Sequence, residues 1–394
     1  MTYIQEGTRN YKLASLALFL GGFVTFSILY TTQPLMPIFT REFHVSAPAA
    51  SLTLSLSTGV LAVVMLFAAG LSDAFGKKKI MLLSMLCTSL LGIATSWSPN
   101  FFTLISLRAL LGVFIAGVPS IAMAYVSEEF HPGGIGKVMG LYISGTSIGG
   151  MAGRIITGAL TDMFSWRMAL MCVGILTLIL TVIFSLTLPA PRGHNEKKAS
   201  GWRSAWNAYQ SHLKSKKLLA LVLLAFLLMG SFVTLYNYIG FMLEAPPYEL
   251  SQTLIGFIFI VYITGTFSSV YMGKKADLHG NAPILKISLA LMMLGAVLTL
   301  IPLLGVKILG MALFTFGFFG CHSIASAWVG QAAGHHKAQA SSLYLLLYYL
   351  GSSLVGSFGG FFWIHFQWTG VVALIFVLLA LGFPLVRYAE KGGH

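Results

Sequence analysis

Twelve long apolar stretches, separated by short polar ones, leave this chain few ways to fold. They lie near residues 12–38, 48–71, 79–97, 101–128, 136–160 and 167–188, then 217–243, 251–273, 283–304, 306–331, 338–363 and 368–388. About 20 apolar residues in a helix cross a bilayer, and in hydrocarbon the backbone must satisfy its own hydrogen bonds, which a helix does. Charged residues make up 9% of the 394 positions, against about a quarter in a soluble domain. The reading is an all-α membrane protein with twelve transmembrane helices. The first apolar stretch has no small-residue cleavage site and stays as a span, not a secretory signal.

The segment AGLSDAFGKKK, Ala69 to Lys79, lies between two apolar stretches and returns in degenerate form as GKKADLHG, Gly273 to Gly280. The paired aspartates are 277 − 73 = 204 residues apart, about half the chain, so the repeat unit is half a protein. A duplicated membrane bundle points to transport and predicts two pseudo-symmetric six-helix bundles, residues 1–189 and 217–394. Between them lies a polar linker, 190–216, in which Trp202, Ala205, Trp206, Tyr209 and Leu213 recur at helical spacing. That pattern predicts an amphipathic helix on the membrane surface.

The net charge of +13 raises the question of nucleic acid, but the distribution of the basic residues answers it. With both termini in the cytoplasm, nineteen Lys and Arg fall in inner loops and tails and only Arg41, Arg167 and Lys307 in outer loops. This is the positive-inside bias, and it sets the orientation. Arg108 and Arg154 remain, both within predicted spans. Cys87, Cys172 and Cys321 all sit in apolar stretches with no paired spacing, so neither disulfide nor metal site is expected.

The chain resembles a transporter of the major facilitator superfamily, specifically its twelve-span drug and sugar efflux branch, along essentially its whole length. That family carries a Gly-x-Leu-Ala-Asp-Arg-x-Gly-Arg-Lys pattern between its second and third spans, answered here by Leu71, Ser72, Asp73, Gly76, Lys77 and Lys78. Ala69 replaces the first glycine and Ala74 the first arginine. The second copy keeps Gly273, Ala276, Asp277 and Gly280 and has Asn281 and Ala282 in place of the basic pair. The resemblance implies a conformational gate built from Asp73, Gly76, Lys77, Glu128 and Asp277. On physical grounds Asp73 suits the positive ends of neighbouring helices, and Lys77 can reach Asp73 and Glu128 or Glu129. Such a cluster can hold one conformation and release in another; the plainer alternative is a basic topology signal around a structural turn.

Arg108, with Gly112 after it, matches the family's buried arginine, which the resemblance associates with proton coupling. At 1.5 Å per residue it lies about 10 Å into the membrane, where an arginine must face protein or water; its structural alternative is bonding helix carbonyls. In the fifth span Gly145, Gly149 and Gly153 give a smooth face for a neighbouring helix, resembling the efflux branch's glycine motif, although Gly150 stands where proline is common. Arg154 can bind an anionic group or pair with Asp162 or a carbonyl.

All eleven acids fall in loops or at span ends, and the first-span stretch YTTQPLMP, where exporters of cations usually carry an acid, is neutral. Two cavity arginines and no acid suit a neutral or anionic substrate. Other cavity candidates are Phe26, Tyr30 and Gln33 on the first span, Ser51, Ser55 and Thr58 on the second, Phe232, Tyr236 and Tyr238 on the seventh, and Tyr344, Tyr348 and Ser352 on the eleventh. Each aromatic has core packing as its alternative. His322, near mid-membrane, can titrate near neutral pH and is the candidate for carrying a coupling proton, with a bonded core histidine as the alternative.

These readings converge on a monomeric, proton-coupled exporter of small neutral or anionic compounds in a bacterial inner membrane, with no cofactor. An uptake symporter or facilitator for a similar solute is the alternative. A membrane enzyme or lipid-handling protein is disfavoured by the lack of a nucleophile triad, metal spacing, Walker loop or paired catalytic carboxylates.

Overall fold

A computed structural model describes residues 3–131, 134–189, 202–334 and 336–391, without the side chains of residues 69–74, 202–206, 208 and 338. Its helices are α1 (Arg9–Tyr30), α2 (Met36–Glu42), α3 (Ala47–Phe75), α4 (Lys77–Thr95), α5 (Phe101–Ile115), α6 (Gly117–Glu129), α7 (Ile135–Met163) and α8 (Trp166–Thr187). There follow α9 (Trp202–Lys214), α10 (Lys216–Glu244), α11 (Gln252–Ile258), α12 (Tyr262–His279), α13 (Asn281–Leu298), α14 (Leu304–Ala332) and α15 (Lys337–Lys391). Ten helical stretches are long and apolar enough to cross a membrane. The last of these bends at Gln367, where φ is 52°, and supplies two spans. With α7, 29 residues long but rich in glycine, the described residues give twelve.

Three expected spans are interrupted, each for a local reason. The first ends as α1 at Tyr30 and resumes as α2 at Met36. Pro34 has no N–H, and the residue before a proline is pushed out of helical conformation. Short bonds of 3.2 Å from Gln33 N–H to the Tyr30 carbonyl and from Leu35 N–H to the Thr32 carbonyl turn the chain between them. The fourth is divided at Ala116 into α5 and α6; Pro119 lacks the N–H that would bond to the carbonyl four residues back. The eighth passes from α11 to α12 through a 3-10 turn at Phe259–Val261.

The two copies of the repeated loop fold alike. Gly76 and Gly280 take φ of +91° and +89° between α3 and α4 and between α12 and α13, a region that glycine enters without a Cβ clash. Residues 190–201 of the expected linker lie outside the described residues, while the expected helix is present as α9.

The described residues form two compact units. One draws on Met1–Leu35, Val63–Ala199 and Ser251–Phe257, the other on Met36–Ala62, Ser200–Leu250 and Ile258–His394. The first half of α3 therefore packs within the second unit, and all of α11 but its last residue within the first.

Each unit contains a close helix pair that the other repeats. In the first, α7 lies along α1: a Cβ added at Gly145, Gly149 or Gly153 would come within 2.2, 2.3 and 2.4 Å of the carbonyl oxygens of Phe19, Phe23 and Ser27. In the second, α15 lies along α10, and a Cβ at Gly351 would meet the Phe226 oxygen at 2.2 Å. Small residues at such crossings let backbones touch and gain dispersion and Cα–H···O contacts. The pairs are repeats of each other, since 226 − 19 = 207 and 351 − 145 = 206.

Candidate functional site

Two buried arginines in the first unit converge on the broken end of α1. Arg108 of α5 is 1% exposed and donates from Nη1 to the Ile28 carbonyl at 3.1 Å and from Nη2 to the Leu29 carbonyl at 2.5 Å. The last carbonyls of a helix lack intrahelical partners and carry the negative end of its dipole, so a forked cation fits there. This is the carbonyl-bonding geometry that the sequence left open as an alternative. Beside Arg108, Thr31, Gly92, Thr95 and Gly174 help to enclose a void of about 10 Å³, close to the space one water needs.

Arg154 of α7 is also 1% exposed. Its Nε donates to Gln33 Oε1 at 2.7 Å and its Nη1 to the Gly150 carbonyl at 2.7 Å. The guanidinium carbon stands 4.0 Å from the centre of the Tyr30 ring, a cation–π arrangement, and Phe26 packs 6.2 Å from Tyr30. Phe26, Tyr30, Gln33 and Arg154 thus form one cluster where α1 stops. Asp162, a candidate partner for Arg154, caps α11: its carboxylate accepts the N–H groups of Gln252 and Thr253 at 3.2 and 2.7 Å.

At the Gly76 turn, Lys77 Nζ meets Glu128 Oε2 at 2.7 Å. The Asp73 side chain lies outside the described residues; Asp277 is exposed near the end of α12. Lys78 of the loop motif donates to the Leu188 carbonyl and Tyr125 Oη to the Pro189 carbonyl at 3.1 Å, so the chain just after α8 is held by one motif residue and by Tyr125, which the sequence did not single out. The second repeat has its own version of the ion pair: Asn281 Nδ2 donates to Gln331 Oε1 at 3.0 Å. Asn281 stands 281 − 77 = 204 residues after Lys77 and Gln331 stands 331 − 128 = 203 after Glu128. The missing basic pair was visible in the sequence; its amide replacement was not, because Gln331 belongs to no recognisable motif.

In the second unit the hydroxyl stripe of α3 is buried against α15. Ser51 Oγ lies 3.3 Å from Ser357 Oγ, Ser353 donates to the Ser55 carbonyl at 2.7 Å, and Ser352 donates to Thr58 at 3.4 Å. Gly360 makes room for Pro48, which a Cβ would meet at 2.6 Å. Tyr238 is buried as well and donates to the Gly356 carbonyl at 2.9 Å.

An aromatic cluster also lies within that unit. Phe232 stacks on Phe318 with centroids 3.8 Å apart, and Tyr236 packs 4.9 Å from Phe232 while its hydroxyl sits 2.6 Å from Thr315. His322 is stacked on Phe318, lies 4.7 Å from Tyr348, and has Nδ1 2.9 Å from the Tyr344 hydroxyl. Tyr236, Tyr344, Tyr348 and His322 are therefore brought together, and Tyr238 stands with the α3 stripe.

The family model of the Major Facilitator Superfamily matches residues 18–356. The chain belongs to the Major Facilitator Superfamily. It is a multi-pass membrane transporter, not an enzyme. It is 49% identical over 391 residues to the MFS-type transporter YybF of Bacillus subtilis (strain 168), covering 99% of this chain and 96% of that one. It is 42% identical over 383 residues to the inner membrane transport protein YnfM of Escherichia coli (strain K12), covering 96% and 91%. Among solved structures, a bacterial homologue of the human lysosomal transporter Spinster, inward-facing and unoccupied, superposes with a TM-score of 0.76 at 16% identity, covering 98% of each chain. A point mutant of the nucleoside transporter NupG gives 0.77 at 14%, covering 97% and 100%. These two likenesses are of fold.

Proposed function

We propose that this transporter exports small neutral or anionic compounds in exchange for protons, as a monomer, by alternating access across a bacterial cytoplasmic membrane with both termini inside. The observation that carries this reading is the convergence of Arg108 and Arg154 on the broken end of α1, with Gln33 and Tyr30 alongside. Helix breaks at depth are where transporters of several folds bind substrate, and two guanidiniums favour an anion or a polar neutral group. Every acid among the described residues lies in a loop or near a helix end, which leaves His322, beside Tyr344, as the titratable group suited to carry the proton.

The latch and the seam supply the conformational part of the reading. The side chain of Lys77 is 15% exposed and that of Glu128 51%, and an ion pair this open contributes about 1 kcal/mol or less, which is cheap to break in each cycle. The Asp162 cap on α11 is likewise exposed, and the hydroxyl seam of α3 on α15 is held by neutral bonds alone. The bacterial relatives, one named for the inner membrane, support the location. The test is flux into inside-out vesicles, using labelled carboxylates from acetate to benzoate and their neutral amides. Accumulation of an acid or amide when the vesicle interior is acid, abolished by a proton ionophore, is expected. Accumulation only with the gradient reversed, or of organic cations instead, would overturn the reading.

A further inference from the structure

The first described residues are tied into the first unit. Ile4 forms a parallel bridge with Phe130: its N–H donates to the Glu129 carbonyl at 2.7 Å and its carbonyl accepts the His131 N–H at 3.2 Å. Its side chain is 2% exposed and joins a core cluster with Tyr11, Met81, Tyr125, Val126 and Phe130. Two further contacts flank the bridge, an edge-on packing of Tyr3 against His131 and an ion pair from Glu6 to Lys137. Beyond it, Gly7 takes a φ of +85° and Thr8 caps α1 through its hydroxyl, which accepts the Tyr11 N–H.

One of the two bonds of the bridge falls on the carbonyl of Glu129, the residue next to Glu128. A carboxylate at the last turn of a helix is opposed by the dipole and by fraying, so the direction in which Glu128 points depends on what holds the end of α6. We propose that Tyr3–Thr8 is a strap that positions Glu128 toward Lys77 and so sets the strength of the latch. This rests on the latch reading given above. A merely structural tail would stabilise the unit without regard to whether residue 128 carries a charge; a positioning strap acts through that charge.

The test is hydrogen exchange at Ile80–Leu83, the first hydrogen-bonded turn of α4, in the full chain held in phospholipid nanodiscs without substrate. Ile4→Asp should speed exchange there about fivefold in the otherwise native chain and under about 1.5-fold in a Glu128→Gln background, the non-additivity expected of coupled groups. Ile4→Val should leave exchange unchanged. If Ile4→Asp cannot be purified, deletion of residues 1–5 makes the same comparison. Equal acceleration in both backgrounds, or none in the native one, overturns the strap while leaving the latch standing. No change from Glu128→Gln alone overturns both, and that single variant tells the two failures apart.

Discussion

The two repeats keep the same backbone and differ in charge. Both have a close helix pair at a 206- to 207-residue offset and a positive-φ glycine at the loop, yet Lys77–Glu128 in the first becomes Asn281–Gln331 in the second. The substitution continues inward. Arg108 donates to the Leu29 carbonyl, and the residues 207 positions on, Thr315 and Tyr236, are joined by a hydroxyl bond. Arg154 donates to the Gly150 carbonyl; 206 residues on, the Gly356 carbonyl takes the Tyr238 hydroxyl, and Arg154 itself is answered by Gly360. Duplication preserved where bonds are needed, and divergence left the two buried arginines with the first repeat.

That comparison breaks most visibly at Arg108. Arg108→Thr installs the second repeat's residue but leaves the Ile28 and Leu29 carbonyls without the fork, and should cost about 3 kcal/mol. Thr315→Ala should cost about 1 kcal/mol. Arg108→Lys should recover only part of the loss, because one ammonium cannot reproduce a planar fork. The melting temperature of purified protein in detergent ranks all three, and equal losses for Arg108→Thr and Thr315→Ala would remove the asymmetry.

The glycine contacts should respond alike in the two repeats. Gly149→Ala and Gly351→Ala each place a methyl within 2.3 and 2.2 Å of a backbone oxygen, an overpacking worth about 2 kcal/mol. Matching falls in melting temperature would uphold the repeat. A tolerated change at one site only would show that the helix pairs are not equivalent.

Smaller effects sharpen the picture at the helix ends. Exchanging the latch for its neutral counterpart, Lys77→Asn with Glu128→Gln, should cost about 1 kcal/mol or less and remove whatever part of the stability is screened by salt. The effect is read as melting temperature against ionic strength. For Asp162, burial raises the carboxyl pKa, but bonds from Thr253, Ser251 and Gln252 outweigh it and hold it below the ordinary value of 3.8. A carboxyl with a lowered folded pKa adds stability above its unfolded pKa and loses it as pH falls through the folded one. The contribution should therefore be flat from pH 5 to 8 and fade below about 4. Asp162→Ala should remove up to about 1 kcal/mol and flatten that acid limb, which denaturation at several pH values would reveal.

Much of the fold was legible because lipid demands long apolar helices, and the 204-residue spacing carried the duplication. The site was legible where unusual residues announce themselves: Arg108, Arg154 and Gln33 stand out in apolar surroundings. What the sequence concealed depends on contacts distant along the chain. Nothing in YTTQPLMP names Arg154 as the partner of Gln33, although Pro34 and Pro37 do mark the break of α1. The Ser51, Ser55 and Thr58 stripe could be seen, but a hydroxyl stripe looks the same whether it lines a cavity or meets Ser352, Ser353 and Ser357. Ile4, in a short tail before the first span, gives almost no signal until Phe130 is placed beside it.

The claim that the first repeat alone supplies the charge for substrate can be tested by ligand-induced stabilisation. Asn237, 204 residues after Gln33, is buried in the second repeat and donates from Nδ2 to the Gly356 carbonyl at 3.4 Å; wild type, Arg154→Gln and Asn237→Leu would be heated with carboxylates from acetate to benzoate and with the matching amides. The account predicts that at least one carboxylate raises the melting temperature more than its amide in wild type and in Asn237→Leu, and that this preference vanishes in Arg154→Gln. A preference that survives Arg154→Gln, or that disappears equally in Asn237→Leu, would contradict it.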